Sequence, residues 1–144
     1  MKRIYRIIAF VLVIMTSLST VAFAAVPPPT DDIQSSRYIL SKNAAIGAMG
    51  GGTIRITYSV TAYYSIDELG ACQINLYKST GQLMKTYYSS AYANMMGYNT
   101  FTHSGYVTYP GTVGTGYYAT IYFYAEDAGT AEVKSITTGT TICT

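Results

Sequence analysis

The chain has 144 residues with nine Lys and Arg, seven Asp and Glu, two Cys, one His and no Trp, for a net charge of +2. Lys2, Arg3 and Arg6 crowd one end, so no basic stripe is left for nucleic acid or anionic lipid. One His and two Cys are too few for a soft-metal centre, which takes about four converging ligands.

Those three cations open a secretory pattern. Residues 7–15 form an apolar run, hydroxyl residues relieve it, and Ala22-Phe23-Ala24 supplies small residues at the exit. A signal peptide over residues 1–24 is expected, cleaved between Ala24 and Ala25. An uncleaved anchor is the weaker reading, because the stretch barely reaches the ~20 residues needed to span a bilayer. No Cys for lipidation and no second apolar segment follow, so no stable membrane anchor is expected after cleavage. The remaining 120 residues hold six Lys and Arg against seven Asp and Glu, a net charge of −1. Val26-Pro27-Pro28-Pro29 then makes residues 25–34 an extended Pro-rich linker, and the ordered domain is expected over 35–144.

Within that domain, alternation with a period of two recurs and no helical stripe does. Over residues 53–63, Ile54, Ile56, Tyr58, Val60 and Ala62 share one face, while Arg55 and a run of Thr and Ser take the other. Residues 72–79 set Cys72, Ile74 and Leu76 against Gln73, Asn75 and Tyr77. In residues 117–125, Tyr117, Ala119, Ile121, Phe123 and Ala125 oppose Tyr118, Thr120, Tyr122 and Tyr124. Weaker strands read at 38–48, 83–90, 105–109 and 131–138. Breaks are expected at Gly50-Gly51-Gly52, 67–70, Thr80-Gly81, 97–99, 110–116 and 127–129. About seven short strands predict an all-β fold, a single antiparallel two-sheet sandwich of immunoglobulin- or fibronectin-like type. Tyr117, two residues before the small Ala119, sits where such sandwiches place a tyrosine corner.

Asp67-Glu68-Leu69-Gly70-Ala71, the run from Ile74 to Gly81, Met96-Gly97-Tyr98-Asn99, the run from His103 to Tyr109, and Tyr117-Tyr118-Ala119 together resemble a family of small exported proteins. These come from Gram-positive, often gut, bacteria and carry a domain of unknown function. The likeness runs from about residue 35 to 138. It implies a secreted sandwich and transfers no active site; the extra tyrosines, such as Tyr106, and the cysteines depart from the pattern.

Catalysis finds little to stand on. His103 adjoins Ser104, and neighbours in sequence do not normally present base and nucleophile to one another; His103 reads as a turn residue bonded to backbone. Asp67-Glu68 and Glu126-Asp127 read as solvated turn acids, and no calcium or phosphate-loop signature occurs. No enzyme and no cofactor are expected. Cys72 reads as a core residue and Cys143 as part of a fraying terminus, so the two are expected to stay unpaired within one chain. Tyr77, Tyr118, Tyr122 and Tyr124 are left as a stripe on one outer face. They are either cross-strand packing or a contact surface for an extracellular protein or polysaccharide. The expected function is a secreted or envelope-associated, non-catalytic interaction module. The alternative is a self-associating structural subunit, with a secreted enzyme third.

Overall fold

The computed structural model describes residues 36–144. The expected signal segment, its Ala24–Ala25 cleavage site and the Pro-rich arm lie outside the described residues. Within them run β1 (Ile39–Gly50), β2 (Thr53–Lys78), β3 (Leu83–Tyr88), β4 (Met96–Pro110), β5 (Gly116–Asp127), β6 (Thr130–Thr137) and β7 (Thr141–Ile142). A single 3-10 turn, Ala93–Met95, precedes β4. All pairings are antiparallel, and the strands form one hydrogen-bonded sheet curled into a half-barrel.

The curl centres on β2. Its first half, through Ala62, lies between β1 and β4; its second half, from Glu68, runs along β5, with β4 on its other side as far as Gly70 and β3 from Gln73. The register with β4 slips between Thr61 and Ile66, where Tyr63 and Tyr64 are exposed. An irregularity of this kind bends a strand and strengthens its twist. Two breaks expected from sequence are therefore strand. Glu68, Leu69 and Gly70 pair with β4 on one side and β5 on the other. Gly70 serves close approach, since a Cβ there would overlap the carbonyl oxygen of Met95. Gly97 and Asn99 likewise lie inside β4, and Asn99 takes a left-handed φ of 50°.

Alternation delivers the core. Ile54, Ile56 and Val60 from the first half of β2 are buried, as are Leu69, Ile74 and Leu76 from the second and Ile121 and Phe123 from β5. Tyr58 meets Phe123 edge-on, with ring centroids 6.4 Å apart. Gly105 makes room for it, because a Cβ there would strike the Tyr58 hydroxyl. Burial pushes the Tyr58 phenol up to about 12. Tyr87 closes the same interior from β3 by donating its hydroxyl to the Thr108 carbonyl at 2.8 Å.

The cysteines differ from expectation in position. Cys143 does not fray: it is 1% exposed, its amide donates to the Thr115 carbonyl and its own carbonyl accepts from Gly114. Cys72 is not in the core. The register skips it between Ala71 and Gln73, so Ala71 takes the inward place and the Cys72 thiol donates to the Tyr122 carbonyl at 3.4 Å. Both are free thiols.

Glu132 on β6 fastens the start of β1. Its carboxylate accepts from the Ser36 hydroxyl and from the amides of Arg37, Tyr38 and Ile39 at 2.9–3.3 Å. Burial opposes its ionisation, but these donors prevail and hold the carboxyl below its ordinary range.

Candidate functional site

The outer face of β3, the second half of β2, β5 and β6 gathers all four tyrosines of the expected stripe. Tyr77 and Tyr118 are direct cross-strand partners whose rings stack at 5.1 Å with planes 14° apart. Tyr122 lies opposite Gln73 and Ser135, and Tyr124 opposite Gly70 and Val133. All four are half-buried rather than fully exposed, because large neighbours on the same face cover one another.

A polar network joins them. Gln73 Nε2 donates to Asn75 Oδ1 at 2.9 Å, Thr86 Oγ1 donates to the same oxygen at 3.1 Å, and Asn75 Nδ2 donates to the Tyr77 hydroxyl at 3.2 Å. Asn75 is only 9% exposed. Its amide is thus fixed in orientation, and the Tyr77 ring is held from its hydroxyl end as well as by stacking. The period-two pattern already placed Gln73 and Asn75 beside Tyr77. Thr86 arrives only through the pairing of β3, which local sequence does not encode.

Acids mark one end of this face. Glu68 and Glu126 are direct cross-strand partners, although each was expected in a solvated turn. Such partners hold their Cβ atoms roughly 5 Å apart, an unfavourable arrangement for like charges. The Tyr124 hydroxyl donates to Glu126 Oε2. That hydrogen bond, with burial and the nearby carboxylates, pushes the Tyr124 phenol up to about 12. Beside it opens a cleft of about 280 Å³ lined by Glu68, Cys72, Ser89, Met96, Tyr98 and Tyr124. Burial raises the Cys72 thiol, so it stays protonated near neutrality and is a weak nucleophile.

His103 stands in β4, not in a turn, yet its ring does meet backbone, with Nε2 3.1 Å from the Asn94 carbonyl oxygen. Its ring lies 6.2 Å from that of Tyr58, while Ser104 follows on the opposite face of the strand. The two side chains point apart. Among the described residues, no three His, Cys, Asp or Glu side chains converge in a way that could hold a metal ion.

Tyr117 closes the far end of β5. Its ring is 1% exposed, and its hydroxyl accepts from the Thr112 amide, five residues upstream, at 3.0 Å. Comparison with family models, curated proteins and solved structures gives no match for this chain.

Proposed function

We propose that this chain is a secreted, non-catalytic interaction module of the cell envelope or extracellular space, folded as an immunoglobulin- or fibronectin-like sandwich. Support for the sandwich comes from the pairing. One group is β1, the first half of β2 and β4; the other is β3, the second half of β2, β5 and β6. Such sandwiches divide their strands in this order, and the Tyr117–Thr112 bond has the form of a tyrosine corner.

The binding reading rests on one observation: the stacked Tyr77–Tyr118 pair held in a satisfied amide network. Rings and amides fixed before a ligand arrives lose little entropy on contact, which suits an extended polysaccharide or a protein surface. Affinity electrophoresis through gels of neutral polysaccharides, with Tyr118→Ser as the paired variant, tests this. Retardation of the parent and its loss in a folded Tyr118→Ser protein are expected. Equal migration of both in every gel, together with unchanged pull-down of surface proteins, would remove the face as a site.

A second reading, self-association, is favoured by β4. This strand has 15 residues, pairs among the described residues only with β2 and contains no Lys, Arg, Asp or Glu, whereas β1, β3 and β6 each carry at least one. Uncharged edges invite strand addition. Light scattering over a dilution series separates the two: a binding module stays monomeric, and an assembly subunit grows with concentration.

A further inference from the structure

The other outer face, formed by β1, the first half of β2 and β4, holds a cation that has no counter-ion among the described residues. Arg55 projects from its centre, with Gly47 and Thr108 as its direct partners on the flanking strands. The guanidinium lies over the Tyr106 ring, 4.7 Å from its centroid, and that ring is 54% exposed. Arg55 Nε is buried and has no hydrogen-bond partner among the described residues. No acid occurs between Asp32 and Asp67 or between Glu68 and Glu126, so none of these three strand segments can supply a carboxylate. A buried donor left unpaired is destabilising, so the Arg55 side chain gains from an acceptor that a ligand brings.

The surroundings narrow the ligand. A Cβ at Gly47 would meet nothing within 4 Å, so space is open on the side of Arg55 away from Tyr106. Thr53 and Thr57 precede and follow Arg55 on its face of β2 and Thr108 is its partner on β4, so hydroxyls that can donate to or accept from a ligand's own hydroxyls share this face. Lys42, the only other cation of these strand segments, pairs with Val60 and has the opposite phase. One guanidinium without a second cation suits a monoanion, and its planar fork matches a carboxylate in two-point contact. A phosphate monoester, carrying nearly two charges, would lack half its neutralisation.

We infer that Arg55, braced on Tyr106, binds the carboxylate of an acidic, uronate-type saccharide, on the face opposite to the tyrosine stripe. The test is calorimetry on the secreted chain with a galacturonate oligosaccharide, its methyl-esterified form and an acidic peptide. The free-acid sugar should bind, and esterification should weaken it at least about tenfold. Arg55→Gln should weaken it by about ten- to a hundredfold with an unchanged thermal melt, and Arg55→Lys should fall between. Absence of binding at millimolar sugar, equal binding of the ester, equal binding of the peptide, or an unaffected Arg55→Gln protein would each overturn the inference.

Discussion

The two halves of β2 have matching interiors and contrasting exteriors. Both bury branched aliphatic side chains at alternate positions. Outside, the first half carries Arg55 among the short hydroxyl side chains Thr53, Thr57, Ser59 and Thr61, all half-buried or exposed and none as deeply covered as Asn75. Outside the second half, Gln73, Asn75 and Tyr77 lie beside Tyr118 and Tyr122, and the larger groups cover one another until Asn75 is nearly buried. Outward phase and solvent exposure are therefore separate properties. Phase is set by the strand, and exposure by the size of what stands on the neighbouring strands.

The sharpest test of that distinction compares adjacent residues of β5. Phe123→Ala removes a fully buried ring and should cost about 3–5 kcal/mol, read as a large drop in Tm. Tyr122→Ser and Tyr124→Ser, on the outer face, should cost about 1 kcal/mol each. Equal losses for all three would mean that both faces of β5 are core, and the contrast between the exteriors would disappear.

Next in size is the fastening of β1 to β6. Glu132→Gln keeps the shape but loses the charge behind four hydrogen bonds, and about 2 kcal/mol should go from urea unfolding at pH 7. The sign of its pH dependence follows from its lowered pKa. The stabilisation is present above the unfolded carboxyl's value near 4.5 and fades as pH falls through the lower folded value. The parent should lose this part of its stability on acidification and Glu132→Gln should not; parallel urea midpoints from pH 7 to pH 3 would refute it.

The smallest effects bear on the exteriors directly. A double-mutant cycle on Tyr77 and Tyr118 should return a coupling of about 0.5–1 kcal/mol, as stacked cross-strand rings do. The matching cycle on Thr61 and Thr102, whose hydroxyls stand 3.5 Å apart on the first half, should return less than about 0.5 kcal/mol. Couplings of equal size would show that ring packing adds nothing to the second exterior.

Much of this was legible in the residues themselves. A pleated strand sends successive side chains to opposite faces, so alternation alone placed Ile54, Ile56, Tyr58, Ile121 and Phe123 inside and the four tyrosines of the stripe outside. Glycine was the ambiguous signal. At Gly50-Gly51-Gly52 the positive φ values make a turn. At Gly70 the same residue type lets the turn before β4 press against β2 from within a continuous strand. Local sequence cannot separate these uses, because the second depends on a backbone more than twenty residues away. The same limit hid the slip that takes Cys72 out of the core, the Thr86 hydroxyl on Asn75, the facing of Glu68 by Glu126, and the solitary Arg55 over Tyr106. Sequence by itself determined the phase of the clearest stretches, residues 53–62, 73–77 and 117–125, because phase is a property of one chain segment. Only the tertiary structure decided which strands lie side by side, and so which outward groups meet, because register and neighbourhood are relations between segments far apart in the chain.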